Sequence, residues 1–277
     1  MTPLTSLTDI SSHYDAFLID LWGVIHDGTQ MYEGAAAALA HLHQAGKPVC
    51  FLSNAPRTAD KAIRVMDALG VPRAHYAHLV TSGQVAHDWL KSESPWGKNY
   101  YYLGPGKDED ILNGLDYQST TMDKAGFILN TGFESDFQPE ADILPTLEKL
   151  LSLKLPLLCV NPDMEVVKQD GTRMLCAGWV AQAYQQMGGT VTLIGKPYAQ
   201  VYNTTIGLLG ADKKILAIGD NLHTDIKGAQ NMGLDSLLIT GGILKSEHGT
   251  HPSPEKLAAL CHQASAAPTY VAQAFSL

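Results

Sequence analysis

Four places in this 277-residue chain put polar, reactive side chains directly after apolar runs. Asp20 ends the segment YDAFLID, and Gly23 follows closely enough to let the chain turn sharply behind it. Ser53 and Asn54 follow KPVCFL, where a hydroxyl, an amide and the N–H groups of a turn can cradle phosphate oxygens. Lys196, in IGKPY, stands before a helix that Pro197 can open at its first position, and its ammonium could neutralise a transferring phosphoryl group. Asp220 and Asp225 lie in AIGDNLHTDIKGA. Carboxylates gathered around Asp20 would repel one another unless a cation joined them, and an all-oxygen site of this kind suits Mg²⁺. Taken singly, each group has an ordinary alternative: a turn cap for Asp20, an Asx or Ser turn for Ser53-Asn54, a solvated cation for Lys196, helix caps for Asp220 and Asp225.

For these groups to meet, the runs that precede them must be neighbouring strands whose carboxyl ends share one edge, where ligands of open α/β sheets bind. The pattern supplies such strands. Tyr14–Asp20 reads as a buried strand, Gly34–Ala45 as an Ala/Leu-rich helix closed by Gly46, and Lys47–Ser53 as a second strand. Thr58–Leu69 is a helix ended by Gly70, and Leu79–Thr81 a short third strand. This alternation predicts a parallel sheet with right-handed crossovers. A second alternation follows: strands at Asn99–Leu103, Ala125–Asn130 and Leu155–Val160, and helices at Glu140–Leu153 and Cys176–Met187. The first rhythm resumes near Thr190, with strands Val191–Ile194, Ile215–Gly219 and Ser236–Thr240 and helices Tyr198–Leu209 and Thr224–Met232. The expected fold class is α/β: a doubly wound, mainly parallel core sheet from residues 1–83 and 186–277, with a smaller α/β cap domain, 84–185, inserted into it.

Composition narrows the classes. With 45% hydrophobic and 17% charged residues the chain has material for a sizeable core, and its length suits two domains. The net charge of −9 and the lack of any Lys/Arg cluster argue against nucleic acid as a partner. Cys50, Cys159, Cys176 and Cys261 are widely spaced with no CxxC, which points to neutral thiols in a reducing cytoplasm rather than to disulfides or zinc. No signal-peptide pattern and no membrane-length apolar run stand out, so a cytoplasmic protein that does not engage a membrane is expected. The eleven histidines show no metal-ligand spacing. Gly104-Pro105-Gly106 reads as a turn rather than a dinucleotide fingerprint, and Tyr100–Tyr102 as a strand face. Homo-oligomerisation is left open.

The order Asp, Ser-Asn, Lys, Asp…Asp resembles the four core motifs of the haloacid-dehalogenase (HAD) superfamily: DLWGV at Asp20, SN at Ser53, GKP at Lys196 and GDN…TD at Asp220 and Asp225. TSG at Thr81, NPD at Asn161 and CAG at Cys176 are similar to landmarks of its class IIA branch. That branch carries a large α/β cap on a Rossmann-like core and includes nitrophenylphosphatase-like and sugar or nucleotide phosphatases. The resemblance implies an Mg²⁺-dependent phosphatase acting on a small phosphorylated metabolite through an aspartyl-phosphate on Asp20. Ser53 and Lys196 would hold the phosphoryl oxygens, with Asn54 in support. Asp20, Asp220 and the main-chain carbonyl of Trp22 would bind the metal, with Asp225 anchoring metal or Lys196. In the cap, Asn161, Asp163 and Gly178 are expected to contact substrate.

One position departs from the pattern. The usual motif is DxD, whose second carboxylate protonates the leaving group; here it is Trp22. An indole N–H donates hydrogen bonds but shuttles no proton at neutral pH. His26 or Asp27, in the loop after Asp20, could supply the proton instead. Two alternatives are a phosphotransferase that benefits from a long-lived aspartyl-phosphate and a binding module that turns nothing over.

Overall fold

A computed structural model describes residues 1–92, 94–135, 139–249 and 252–277. The first strands and helices are β1 (Thr2–Pro3), β2 (Ala16–Ile19), α1 (Ala35–Gln44), β3 (Val49–Ser53), α2 (Ala59–Ala68), β4 (His78–Thr81) and α3 (Ser82–Ser92). The middle of the chain forms β5 (Asn99–Leu103), β6 (Gln118–Ser119), β7 (Phe127–Asn130), α4 (Glu140–Ser152), β8 (Leu157–Cys159), β9 (Glu165–Val167), β10 (Arg173–Leu175), α5 (Ala177–Gln186) and β11 (Val191–Leu193). The remainder is α6 (Ala199–Leu209), β12 (Ile215–Gly219), α7 (Lys227–Asn231), β13 (Asp235–Ile239), α8 (Ile243–His248), α9 (Pro254–Ala264) and β14 (Tyr270–Ala272).

The larger sheet has seven strands in the order β1-β14-β13-β12-β2-β3-β4, all parallel. From β2 the chain steps outward one way through β3 and β4, and from β12 the other way through β13 and β14. The order reverses between β2 and β12, which opens a crevice beyond their carboxyl ends. Both faces of β2, β3 and β12 are buried, so they read as unbroken apolar runs. Phe17 and Ile19 pack into one cluster with Leu39, Leu42 and Phe51. Ala16 and Leu18, on the opposite face, pack with Leu52, Val201 and Tyr202.

That second cluster continues into Tyr100, Phe127, Leu129 and Leu158 of the smaller sheet, so the two sheets share buried apolar material. The smaller sheet is parallel, in the order β11-β8-β7-β5-β6, and its far face is covered by α4 and α5 through Ile143, Leu147, Val180 and Tyr184. The fold class is therefore the doubly wound α/β arrangement read from the sequence.

Several local expectations need correction. Val191–Leu193 pairs with β8 in the smaller sheet instead of resuming the larger one. Val191, Thr192 and Leu193 are only half-buried, as suits an edge strand, so a short apolar run carried no mark of which sheet it joins. Pro197 does not open a helix: Tyr198 caps α6, which begins at Ala199, and the Lys196–Pro197 peptide is cis. The helix expected from Thr224 starts instead as a π-helical turn at Leu222–Ile226 that runs into α7. Strands β1, β6 and β14, the antiparallel pair β9–β10 and helices α3, α8 and α9 had no counterpart in the sequence reading. Among the described residues, no helix is long and apolar enough to cross a membrane.

Candidate active site

The four sequence segments converge in the crevice between β2 and β12. β2 delivers Asp20, whose N–H donates to the Ile218 carbonyl of the neighbouring strand (2.9 Å). β12 delivers Asp220, and the wide turn after it brings Asp225 back toward the sheet; π-helical turns of this kind recur at functional sites. Asp225 Oδ2 accepts the Asn221 N–H (3.2 Å), which fixes its carboxylate. Lys196 Nζ bridges the two sides, donating to Asp20 Oδ1 (2.6 Å) and to Asp225 Oδ1 (2.7 Å). All four residues are buried, with exposures of 7% for Asp20, 5% for Asp220, 5% for Asp225 and 3% for Lys196.

Three carboxylates against one ammonium leave the cluster short of positive charge. Burial, then the neighbouring Asp225 carboxylate, push the Asp20 carboxyl up, against the pull of Lys196. Asp220 is pushed up to about 7 by the same two causes. The Lys196 ammonium is held charged, its burial outweighed by Asp20, Asp225 and Asp163. Asp20, Asp220 and Asp225 each offer an oxygen within 4.8 Å of the others, so this oxygen-only, negatively charged set fits a divalent cation.

The backbone is cut to this arrangement. Gly23 has φ +85°, and a Cβ there would overlap the Asp220 carboxylate; a Cβ on Gly242 would do the same from the other side. The Ile243 N–H donates to Asp220 Oδ2 (2.7 Å). Ser53 Oγ accepts the Ala55 N–H (3.2 Å) at the end of β3. Asn54 ties three segments together: its Oδ1 accepts the Lys196 N–H (2.7 Å), and its Nδ2 donates to Asp163 Oδ1 (2.9 Å).

Asp20, Trp22, Ser53, Asn54, Asp163, Lys196, Asp220 and Asp225 thus line one small cavity of about 30 Å³, room for little more than a water or an ion. Asn161 and Gly178 do not line it. Asn161 Oδ1 accepts the Asp163 N–H (3.1 Å) and shapes the loop that presents Asp163. Gly178 packs closely on that loop, where a Cβ would overlap the carbonyls of Pro162 and Asp163, and it lines a separate cavity of about 640 Å³.

Neither His26 nor Asp27 lines this cavity. Asp27 Oδ1 accepts the Thr29 N–H (2.9 Å), the Thr29 hydroxyl (2.7 Å) and the Gln30 N–H (2.8 Å), while Oδ2 accepts the Gln169 N–H (3.1 Å). Although burial opposes it, this bonding holds the carboxyl down to about 2, so it carries no proton to give. His26 Nδ1 accepts the Gly28 N–H (2.9 Å), and burial keeps its ring neutral, with a pKa lowered to about 4.

The pair β9–β10 contributes Glu165, Val166 and Val167 to the cavity wall. Glu165 Oε2 accepts from Arg173 Nε (3.1 Å) across the pair. Trp22 Nε1–H donates to the Val167 carbonyl (2.8 Å), so the residue in place of the carboxylate is tied to this wall. A signal for the hairpin was present in EVVKQDGTRML, where Asp-Gly sits between strand-like runs. No comparable signal marked the main-chain N–H of Ile243.

Comparison with known proteins agrees with this geometry. Residues 17–118 match the model of the haloacid dehalogenase-like hydrolases, and residues 193–276 match a HAD-hydrolase-like model. A solved haloacid dehalogenase-like hydrolase from Brucella suis 1330 superposes with a TM-score of 0.86 at 30% identity, covering 98% of this chain and 99% of that one. The chain belongs to the haloacid dehalogenase-like hydrolase family and is an enzyme of that hydrolase class. It is also 27% identical over 242 residues to an acid sugar phosphatase of Staphylococcus aureus, covering 83% of this chain and 88% of the relative. A glycerol phosphate phosphatase from Mycobacterium tuberculosis, solved in complex with magnesium, shares the fold at 22% identity and a TM-score of 0.68, covering 96% of this chain and 76% of that one.

Proposed function

We propose that the protein is an Mg²⁺-dependent phosphatase that cleaves a small phosphate ester, such as a sugar phosphate or nucleotide, through an aspartyl-phosphate on Asp20. The observation that carries this reading is the Lys196 bridge between Asp20 and Asp225 beside Asp220, at the point where the sheet order reverses. Asp20, Asp220 and the Trp22 carbonyl would hold the ion, with Asp225 anchoring Lys196. When bound, the ion supplies the missing positive charge and offsets the charge of the phosphoryl oxygens.

Asp20 attacks phosphorus; an oxygen–phosphorus bond forms to the carboxylate as the ester oxygen–phosphorus bond breaks. Lys196 and Ser53 hold phosphoryl oxygens, and Asn54 keeps both loops in place. Water then attacks the aspartyl-phosphate, releasing phosphate and restoring Asp20. Phosphatase names among the relatives support this choice of reaction, and the magnesium of the glycerol phosphate phosphatase supports the choice of ion.

The leaving alkoxide and the attacking water both need a proton relay that Trp22 cannot provide. A second reading, slow hydrolysis with a long-lived aspartyl-phosphate, is favoured by the commitment of the Trp22 N–H to Val167. Phosphate release from a panel of esters should require Mg²⁺ and fall at least about 10³-fold in Asp20→Asn. A Mg²⁺-dependent beryllofluoride adduct on Asp20 without turnover would select the second reading. No release and no adduct would overturn both.

A further inference from the structure

Beside this cavity lies a second one of about 280 Å³, which shares Ser53 and Trp22 with it as walls. Its charged lining is Arg57, Lys107 and Lys168, with no Asp or Glu among the lining residues. In a chain with 28 acidic and 19 basic residues, an all-cationic lining is a feature of the place rather than of the composition. Arg57 comes from the loop after β3, whereas Lys168 comes from the β9–β10 turn, so the cavity is completed only when the hairpin lies over the core. Leu21, Val65 and Met174 give it apolar walls suited to a short carbon skeleton.

Arg57 is fixed through its backbone. Its carbonyl accepts the Thr81 hydroxyl (2.5 Å), and Gly83 lets α3 approach so closely that a Cβ would overlap the Arg57 backbone. Thr81 and Gly83 belong to the TSG segment, which the phosphate site does not use. The Arg57 Nε is buried with no hydrogen-bond partner. Asp108 stands 3.5 Å from it, an ion-pair separation at the outer limit of hydrogen bonding. The Arg57 side chain as a whole is 28% exposed, and a carboxylate or phosphate can engage the accessible part of a guanidinium.

We infer that Arg57, with Lys107 and Lys168, forms a second anion subsite, and that the preferred substrates are phosphate esters whose alcohol portion carries a further carboxylate or phosphate. The inference rests on the phosphatase reading for the orientation of the ester: its phosphoryl group at Asp20 and its second anion past Trp22 at Arg57.

The test compares matched probes. Wild type should show a kcat/KM for 3-phosphoglycerate above that for glycerol 3-phosphate, and for fructose 1,6-bisphosphate above fructose 1-phosphate, by roughly tenfold or more. A preference in one pair alone tells whether a carboxylate or a second phosphate is the ligand. Arg57→Met should bring the favoured ratio close to one, and Arg57→Lys should keep part of it. The same ratios are measured as equilibrium binding to Asp20→Asn, which does not depend on turnover. Arg57-dependent discrimination in binding without hydrolysis by wild type would sustain the subsite and sink the phosphatase reading. Turnover or binding with ratios near one in both pairs, or binding of no probe, would overturn the subsite.

Discussion

Trp22 makes two demands on the site at once. It removes the carboxylate that would carry a proton, and its Nε1–H bonds to the Val167 carbonyl of the hairpin. Two variants separate these effects. Trp22→Phe loses the hydrogen bond, worth about 1 kcal/mol, without adding an acid. Trp22→Asp loses it and adds one, and proton transfer by a placed carboxylate is worth about 10²–10⁴ in rate. Ester hydrolysis should rise by about 10²-fold or more in Trp22→Asp and by far less in Trp22→Phe. Equal gains would show that release of the hairpin, and not the missing proton relay, limits turnover. His26 makes a prediction about stability. Its ring is buried and neutral, with a pKa lowered to about 4 by burial. The unfolded chain protonates this ring below about 6.5, so unfolding takes up a proton between those values. Stability is therefore complete above about 6.5 and falls as the pH drops toward 4, by about 3 kcal/mol from this group. Denaturant midpoints from pH 7.5 to 4.5 should fall less steeply in His26→Gln; an unchanged slope would remove His26 as the cause.

At the scale of elements, what was legible depended on whether a segment's own side chains declared its surroundings. Strands β2, β3 and β12 are buried on both faces, so AFLI, VCFLS and ILAIG marked themselves and placed Asp20, Ser53 and Asp220 at their ends. Strands β1 and β14 lie together at the sheet's edge as two- and three-residue pieces, too short for any period to show. The edge strand β11 has no residue that prefers one sheet over the other, and only its pairing with β8 assigns it. The wide turn at Leu222–Ile226 follows from Asp225 having to reach Lys196, a constraint set by a residue 29 positions away. The candidate site was partly readable for a related reason: Asp20, Ser53 and Asp220 sit at or one step beyond the ends of buried strands, so local pattern fixed their place. Its wall was less readable because β9–β10 contributes Val166 and Val167, whose types name no chemistry, and a Glu165 that follows no buried strand. His26 and Asp27 show the converse. Proximity in sequence put them near Asp20, while a tight turn spent Asp27 on Thr29, Gln30 and Gln169.

At the scale of the whole molecule, the cavity of about 30 Å³ around Asp20 is smaller than a phosphate ester, so binding of one should require the wall formed by Val166 and Val167 to shift. The apolar cluster shared by the two sheets, including Leu18, Phe127 and Leu158, opposes a separation of the sheets themselves. The hairpin is held to the core more lightly, by the Trp22 bond to Val167, the Asp27 bond to the Gln169 N–H and a long bond from Gln169 Nε2 to the Gln30 carbonyl (3.5 Å). Breaking three such bonds costs about 3 kcal/mol, which leaves under about one per cent of molecules open at any moment. Amide exchange over residues 165–175 should accordingly run far faster than over β2 or β12, and Mg²⁺ with beryllofluoride should slow it by stabilising the closed form. The Gln169 amide reports most directly, since its partner Asp27 belongs to the core loop. Exchange in the free protein as slow as in β12 would mean a wall that does not open. Substrate would then need another entrance, and a subsite completed by Lys168 could not fill in the course of turnover.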